Sequence, residues 1–344
     1  MMTKETSPQP SASIPSIAID DGFAQTKVAY RGADGGIKTH LIRSAIRHGA
    51  VASVSGGGAV ATYRTDDGMT VMTVSDDVAG EATAFDGFHL SAMNRILVAH
   101  SLRSGGVNSP VVDICAGLPI GDFFSGTSRN ETFIAKKEAN LRVKVEPFQK
   151  EDAPCSSYRK INIGCQAIAA FLDYALDDDL EPRNVSTDRV AVVDIGGRTT
   201  DIAVILNGRN FDDTRSGTDN IGVLEVHRNL TRLLMRTYDV SDKTFSDSVI
   251  DLAVRHGQIK LWGKVVDISD LVAQARADVE QRLTSTISRR LGNGSDLDAV
   301  LFVGGGARLF SGSQAAFRNA VMPRDAEFSN ARGLLKNMEI QPEG

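Results

Sequence analysis

Residues 190–206 read VAVVDIGGRTTDIAVIL and place a short polar segment between two apolar runs. The runs consist of small and β-branched residues without helical periodicity, so they predict two buried strands. Gly196 and Gly197 allow a tight hairpin turn and leave backbone N–H groups open to an anion. Asp194 and Asp201 can hold a hydrated divalent cation, as Mg²⁺ prefers. The pattern suits a metal-bound phosphate, although an ordinary surface hairpin would also explain it when taken alone.

Two further glycine turns follow the same plan. Residues 17–30, IAIDDGFAQTKVAY, again join an apolar strand through Asp-x-Gly to a second strand. Residues 301–309, LFVGGGARL, follow a predicted strand and precede a predicted helix. The order of the three turns is more informative than any single turn, because each motif alone is common.

Two glycine hairpins that bind phosphates between them indicate phosphoryl transfer to water. Catalysis of that reaction depends mainly on positioning and on stabilisation of charge. Asp20 and Asp194 would hold Mg²⁺ through water, and Thr199 and Thr200 would add hydroxyl donors. Lys27 could reach a phosphate oxygen as a point charge. The alternative for Lys27 is an ordinary surface lysine at the end of a strand.

Hydrolysis also needs a group that orients the attacking water, and Gln166 is the candidate for this role. It follows a predicted strand, opens a helix and lies between the two hairpins in sequence. A single glutamine is more often structural, so the sequence leaves its role open. Gly304, Gly305 and Gly306 would let the backbone approach a nucleoside closely, since glycine has no side chain to prevent it. A plain strand-to-helix turn is the alternative.

The composition predicts a soluble globular protein. The chain has 344 residues, of which 42% are hydrophobic and 24% charged, enough for one large domain or two ordinary ones. A net charge of −5 offers no basic surface for nucleic acid or anionic membrane. Cys115, Cys155 and Cys165 lack metal-ligand spacing and indicate reduced thiols of a cytoplasmic protein. Residues 1–15 are rich in Pro and Ser and predict a disordered tail.

The remaining chain is expected to form two α/β domains. The first would span residues 16–180, with an inserted β-rich subdomain at about 37–90. The second would span residues 181–344, and its last helix would pack back on the first domain. Segment 130–142 is polar and charged, and we interpret it as a solvated loop or short helix with Lys136 and Lys137 in solvent.

The three turns in this order resemble the nucleotide-binding pattern of the actin superfamily, which includes actins, bacterial actin-like proteins, sugar kinases and heat-shock chaperones. Within it, the chain is similar to the ParM/StbA group of plasmid-segregation actins. That similarity rests on IAIDDGFAQTK, on Leu118-Pro119 followed by KKEANLR, on DIGGRTTDIAVI with Ile221-Gly222-Val223, and on FVGGGA. It implies an α/β actin-like fold, with two similar ribonuclease H-like domains and smaller inserted subdomains around a nucleotide cleft.

The resemblance also implies roles for individual residues and cofactors. ATP would be the nucleotide, with GTP as the alternative, and Mg²⁺ would be held through water by Asp20 and Asp194. Catalysis would depend on Asp194 and Gln166. The phosphate-binding residues would be Asp20, Asp21, Gly22, Lys27, Gly196, Gly197, Thr199 and Thr200, and the adenosine-binding residues would be Gly304, Gly305 and Gly306.

Two residues depart from the family pattern. Phe23 stands where actin itself has a phosphate-binding serine, which implies that a backbone N–H makes this contact instead. Arg198 replaces a usually small residue within GGxTT. It could touch phosphate or face solvent, and the sequence leaves both open. The tail before Pro15 is additional to the family core.

Proteins of this group polymerise with ATP into two-stranded filaments, hydrolyse ATP within the filament, and bind an adaptor protein on plasmid centromere DNA. The resemblance therefore implies a cytoplasmic ATPase that binds copies of itself and an adaptor, without direct contact to nucleic acid or membrane. One alternative is a small-molecule kinase of the same superfamily, although the sequence lacks a recognisable sugar motif. The other is a chaperone-like or scaffolding nucleotide switch without polymer-coupled hydrolysis.

Overall fold

A computed structural model describes residues 14–51, 60–76, 80–241 and 244–340 of the chain. Almost all of the predicted disordered tail lies outside these residues. Two α/β halves, each built on a mixed sheet, face each other across a cleft. No helix of the described residues is long and apolar enough to cross a membrane.

The first half is built on a five-stranded sheet in the order β11-β7-β1-β2-β3, in which β1 pairs antiparallel with β2 and parallel with β7. In chain order its elements are β1 (Ser16–Asp21), β2 (Gln25–Arg31), β3 (Ile37–Arg43), β4 (Ile46–His48), β5 (Ala61–Thr65), β6 (Thr70–Val74), α1 (Ala92–Ser104), β7 (Val111–Leu118), α2 (Ile120–Phe123), β8 (Phe124–Ser125), β9 (Ser128–Arg129), α3 (Glu131–Arg142), β10 (Glu146–Pro147), β11 (Ser157–Cys165) and α4 (Gln166–Ala175).

A second, four-stranded sheet in the order β10-β5-β6-β4 forms the inserted part of this half. Its range differs from the expected 37–90. Strand β3 pairs with β2 along its whole length and therefore belongs to the large sheet. The small sheet begins only at Ile46, and it recruits β10 from much later in the chain. Non-local pairing of this kind leaves no mark in local sequence.

The second half repeats the arrangement, with a sheet in the order β14-β13-β12-β18-β19 and β15 paired to β13. Strand β12 pairs antiparallel with β13 and parallel with β18, as β1 does with β2 and β7. The elements are β12 (Arg189–Ile195), β13 (Thr200–Leu206), β14 (Asn210–Phe211), β15 (Gly217–Asp219), α5 (Val223–Tyr238), α6 (Asp247–His256), β16 (Gln258–Leu261), β17 (Lys264–Asp267), α7 (Ser269–Leu291), β18 (Ala299–Val303), α8 (Ser311–Ala315), β19 (Ala320–Val321) and α9 (Ser329–Ile340).

The central strands are buried on both faces because helices cover the sheets. All side chains of β18 are buried, as are those of β12 after Arg189, which explains their continuous apolar runs. Helix α4 contributes Phe171 to a core shared by both sheets. Helix α9 packs its Leu334 and Leu335 against the first sheet, so the C-terminal helix lies on the N-terminal half. The domain limits given above stay a prediction.

Segment 130–142 forms helix α3, which is not a solvated element as a whole. The Asn130 side chain caps its N-terminus by accepting a hydrogen bond from the Phe133 N–H at 3.2 Å. Ile134, Lys137 and Leu141 lie on one buried face at helical spacing, whereas Lys136 is exposed. The expectation that both lysines face solvent is therefore wrong for Lys137.

Candidate functional site

The turns of the two hairpins face each other across a cleft of about 950 Å³ that both halves line. The carboxyl ends of β1, β7, β11 and β12 reach this cleft, which brings distant parts of the sequence together. Of the residues expected at a nucleotide, those on the cleft wall are Asp20, Gly22, Lys27, Gln166, Asp194, Gly196, Gly197, Thr199 and Gly305.

Asp20 is the centre of a buried polar group in the first half. Its carboxylate accepts a hydrogen bond from the Lys27 ammonium at 3.1 Å and another from the Gln166 amide at 2.7 Å. Lys27 pairs with Asp20 across the β1–β2 ladder, so the hairpin register fixes this contact. Burial lowers the pKa of Lys27, but Asp20 and Asp194 outweigh burial and raise it above its usual value. Lys27 is thus a buried cation in the cleft, not a surface lysine.

Gln166 is held where two strands end. It is the first residue of α4, directly after β11, and its side chain is buried. A Cβ atom on Gly117, at the end of neighbouring β7, would lie only 2.7 Å from Gln166 Cγ. A glycine at position 117 is therefore what leaves room for this side chain.

Asp194 ends the first strand of the second hairpin and is also buried. Its Oδ2 accepts a hydrogen bond from the Asn330 side chain of α9 at 2.8 Å. Burial, with the negative charge of Asp20 as the next cause, raises the pKa of Asp194 to about 6. A cation bound beside Asp194 would lower this pKa and stabilise the charged carboxylate.

Asp201 is a second buried carboxylate of this hairpin, and it faces the cleft. Its Oδ1 accepts hydrogen bonds from the Ile120 backbone N–H, at 2.9 Å, and from the Thr218 hydroxyl. Ile120 belongs to the first half, so this contact joins the halves beneath the cleft. Burial, followed by repulsion from Asp194, raises the pKa of Asp201 to about 7.

The donor set fits a hydrated Mg²⁺ ion. The described residues contain no group of three or more His, Cys, Asp or Glu side chains that could hold a metal by themselves. Mg²⁺ keeps several waters and is usually bound by one or two carboxylates together with substrate phosphates. Asp20 and Asp194 supply two carboxylates on opposite sides of the cleft, and the raised pKa of Asp194 means that burial and the charge of Asp20 outweigh the charge of Lys27 there.

Asp21 and Thr200 do not reach the cleft. Neighbouring side chains of a strand point to opposite faces, so Asp21 points away from the side that Asp20 occupies. It is fully buried behind the hairpin, and its assignment to phosphate binding is withdrawn. The Thr200 hydroxyl donates to the Ile221 carbonyl at 2.8 Å, which fixes the loop that enters α5. Thr200 supports the hairpin from behind.

Behind the first hairpin, Lys137 forms a buried ion pair that the sequence analysis missed. Its ammonium donates to Asp21 at 2.6 Å and to the Gly117 carbonyl at 2.9 Å, and it lies 3.2 Å from His89 Nδ1. Asn94 also donates to Asp21, at 2.6 Å. Burial would raise the pKa of Asp21, but Lys137 and His89 outweigh it and lower the pKa to about 2. The burial of Lys137 could have been predicted from its helical spacing to Ile134 and Leu141 of α3.

The glycine turn after β18 supports the second hairpin closely. Gly304 has a φ of +84°, and a Cβ atom there would lie 2.3 Å from Asp194 Oδ1. The Gly306 N–H donates to the Ile195 carbonyl at 2.9 Å. Gly305 is the one of the three that lines the cleft. The first and last glycines thus allow the backbone to pack against the hairpin, and the middle one faces the ligand space.

The other end of the cleft carries charged side chains that the sequence did not reveal. Asp251 of α6 forms an ion pair with Arg43 of the first half at 3.0 Å and another with Arg255 at 3.0 Å. His227 of α5 lies 3.6 Å from Asp251, and burial lowers its pKa to about 4. These residues are remote in sequence and come together only through the folding of α5 and α6 against the first half.

Comparison with known proteins places both halves in one structural class. Residues 16–173 match a family model described as the N-terminal domain of plasmid segregation protein ParM, or StbA. Residues 192–313 match the C-terminal domain of the archaeal MreB-like actin homologue. No curated protein matches the chain.

Solved structures extend the comparison over nearly the whole chain. The archaeal actin homologue Ta0583 is 21% identical with a TM-score of 0.74, and the alignment covers 95% of this chain and 100% of that one. The 15-stranded ParM filament from Clostridium botulinum is 18% identical with a TM-score of 0.69, covering 95% and 99%. Bacillus thuringiensis ParM with ATP is 13% identical with a TM-score of 0.67, covering 95% and 99%.

At these identities the solved structures show the fold, and the predicted actin-like architecture is confirmed. The two family models divide most of the chain between them, and both describe halves of actin-like proteins. The chain therefore has an actin-like fold, with a first half similar to ParM/StbA proteins and a second half similar to archaeal MreB-like proteins.

Proposed function

We propose that this protein is an ATPase that polymerises into dynamic filaments and segregates plasmid DNA through an adaptor protein, hydrolysing Mg-ATP within the filament. One observation carries the proposal. Asp20, Gln166 and Asp194, which are far apart in sequence, meet in a cleft between two glycine hairpins. These side chains provide charge and orienting groups where the γ-phosphate of a nucleoside triphosphate would react. Phosphoryl transfer depends mainly on such positioning and charge stabilisation.

The phosphates would lie between the turns of the two hairpins. Backbone N–H groups near Gly22, Gly196 and Gly197 would bind phosphate oxygens, and Thr199 would add a hydroxyl donor. The buried ammonium of Lys27 would neutralise part of the phosphate charge. Bound Mg²⁺, held through water by Asp20 and Asp194, would offset the negative charge that develops in the transition state.

Gln166 would orient the attacking water. Its amide nitrogen donates a hydrogen bond to Asp20, and this contact fixes the orientation of the side chain. The side-chain oxygen is then free to accept a hydrogen bond from the water molecule. The nucleoside would lie beside Gly305 and the first turn of α5. ATP is our choice of nucleotide and GTP the alternative, since backbone contacts at a glycine do not by themselves distinguish the two bases.

The proposed partners are those that the similarity to ParM/StbA proteins suggests. A ParM of Clostridium botulinum forms a filament, which supports self-association of this chain. An adaptor protein on centromere DNA would be the second partner. The net charge of −5 suits this division of labour, because the adaptor would meet the DNA and this chain would bind neither DNA nor membrane directly. The protein would act in the cytoplasm.

Light scattering recorded in parallel with phosphate release, after addition of Mg-ATP to the purified full chain, tests the proposal. We expect scattering to rise and then decay as phosphate appears, and the same experiment with Mg-GTP would rank the two nucleotides. Phosphate release without scattering would contradict filament formation. ADP release only after a sugar or organic acid is added would indicate a kinase, and nucleotide binding without turnover would indicate a nucleotide switch.

A further inference from the structure

The two residues that depart from the family pattern touch each other across the cleft. The Arg198 guanidinium of the second hairpin lies over the Phe23 ring of the first, with Cζ 5.4 Å from the ring centroid. The same guanidinium donates a hydrogen bond to Asp86, which also belongs to the first half. Arg198 therefore does not simply face solvent, and its side chain is about one quarter exposed.

We propose that Arg198 is a positioning residue that clasps the two phosphate hairpins together, sets their spacing and slows nucleotide release. The proposal rests on the nucleotide-binding function proposed above. In this proposal Phe23, which stands where actin has a phosphate-binding serine, provides the aromatic face that the Arg198 guanidinium contacts.

Phe23 is a rigid base for such a clasp. Its side chain is buried, and its ring packs against Phe88 at 5.3 Å and edge-on against His89 at 5.1 Å between centroids. The backbone carbonyl of Phe23 accepts a hydrogen bond from the Thr83 hydroxyl. The ring is thus fixed to the first half by packing and by its own backbone. A cation held over it is held relative to the whole first hairpin.

The backbone beside Arg198 is fixed equally well to the second half. The Gly197 carbonyl accepts a hydrogen bond from the Leu224 N–H at 2.8 Å, and the Gly196 carbonyl accepts one from the Val223 N–H at 3.1 Å. Across the cleft, a Cβ atom on Gly197 would lie 2.6 Å from Ala24 Cβ. The hairpin turns are therefore already in van der Waals contact at Gly197, the residue before Arg198.

The stack on Phe23 should contribute more than the ion pair. The Asp86 side chain is 95% exposed, and ion pairs in water contribute little because solvent screens them. A guanidinium over a buried aromatic face is partly desolvated, and its attraction to the ring is correspondingly larger. Lysine offers neither the planar contact nor the fork of donors, so it should replace arginine poorly.

Release of a fluorescent ATP analogue from the Mg²⁺-loaded full chain, chased with excess ATP, measures the effect of the clasp. We expect Arg198→Ala to accelerate release about fivefold, Arg198→Lys to accelerate it nearly as much, and Asp86→Asn to change it less than twofold. Arg228→Ala, at an exposed arginine of α5, is the charge-matched control and should release the analogue at the native rate. Thermal unfolding of each variant separates the clasp from a loss of stability.

A double-mutant cycle with Phe23→Leu identifies the contact itself. Leucine keeps an apolar side chain at this position but removes the aromatic face, so Arg198→Ala should have little further effect in that background. Additive effects of the two substitutions, or unchanged release in Arg198→Ala, would overturn the clasp while leaving nucleotide binding intact. Failure of the native chain to bind the analogue would instead contradict the proposed function, and the clasp would fall with it.

Discussion

The two hairpins share one topology but neutralise their carboxylates in different ways. In the first, Asp20 pairs with the Lys27 ammonium at 3.1 Å and Asp21 with the Lys137 ammonium at 2.6 Å. In the second, Asp194 accepts a hydrogen bond from a neutral side-chain amide, and Asp201 accepts from a backbone N–H and a hydroxyl. The carboxylates of the first hairpin are paired with lysine ammonium groups, Lys27 of the hairpin itself and Lys137 of α3, whereas those of the second accept hydrogen bonds from uncharged donors.

This difference decides the protonation of carboxylates that are equally removed from water. Asp21 is fully buried, yet the cation beside it lowers its pKa to about 2. Asp194 and Asp201 are also buried, and their pKa values rise to about 6 and about 7. Burial alone favours the neutral acid, and at Asp21 the nearby positive charge, helped by hydrogen bonds, reverses that preference. The second hairpin is therefore the side of the cleft that gains most from a bound cation.

Removing the α3 cation that pairs with the first hairpin should produce the largest effect. Lys137→Met would leave Asp21 charged and fully enclosed, and breaking a buried pair from one side destabilises a protein by about 3–5 kcal/mol. Urea unfolding of the full chain measures the loss. Lys136→Met, one residue earlier on the exposed face of α3, is the matched control and should stay within about 0.5 kcal/mol of the native chain.

The double variant Asp21→Asn with Lys137→Met distinguishes the ion pair from simple packing. Removing both charges together should recover much of the lost stability, because no uncompensated charge remains. If the double variant is as unstable as Lys137→Met, the lysine acts through its shape and the proposed difference between the hairpins does not hold.

The hairpins themselves could be predicted from sequence because their signals are local. A β-branched run, Asp-x-Gly and a second run determine strand, turn and strand within about 17 residues of chain. The separation of Asp20 from Asp21 was also accessible, since adjacent side chains of a strand face opposite ways. That rule, applied to β1, would have excluded Asp21 from the cleft.

Other parts of the site depend on packing between distant elements. Asn330 reaches Asp194 from the last helix, and no local pattern marks an asparagine in α9 as a partner of β12. The contact between Arg43 and Asp251 likewise joins elements from different halves. Lys137 is an intermediate case: its spacing from Ile134 and Leu141 indicates a buried face, but a lysine pair within a charged segment suggests solvent.

Removing the charge of the second hairpin should affect turnover more than folding. Asp194→Asn keeps the shape of the side chain but removes the carboxylate proposed to hold hydrated Mg²⁺. We expect phosphate release to slow by a factor of ~10² or more, as for a group placed at developing charge. The exposed Asp188→Asn is the control and should release phosphate at the native rate. Native turnover in Asp194→Asn would show that the catalytic assignment is wrong.

Gln166 provides a smaller test on the other side of the cleft. Gln166→Ala removes the group proposed to orient water but keeps both carboxylates, so phosphate release should slow about tenfold while nucleotide affinity changes less than twofold. Single-turnover phosphate release and equilibrium binding of a fluorescent ATP analogue separate the two quantities. Gln149→Ala, at an exposed position, is the control. Equal losses of binding and turnover would mean that Gln166 is structural.

The smallest expected effect is a pH dependence that belongs to the second hairpin alone. Because the pKa of Asp201 is raised in the folded protein, its contribution to stability is fully present below about pH 4 and is lost as the pH rises through about 7. Asp201→Asn removes that titration and keeps Oδ1, the atom that accepts from Ile120 and Thr218. In EDTA without nucleotide, the variant should therefore unfold at a higher temperature than the native chain at pH 8, by ~2–4 °C, and the difference should vanish near pH 4.

Asp213→Asn, at an exposed aspartate, should show no such trend and serves as the control for this measurement. Saturating Mg-ATP adds a further condition. A cation bound between Asp20 and Asp194 would reduce the repulsion that Asp201 feels from Asp194, so the gain of Asp201→Asn at pH 8 should shrink. A gain that is the same at pH 4 and pH 8 would mean that packing, not charge, sets the difference. In that case the second hairpin would not be the side of the cleft that lacks a cation.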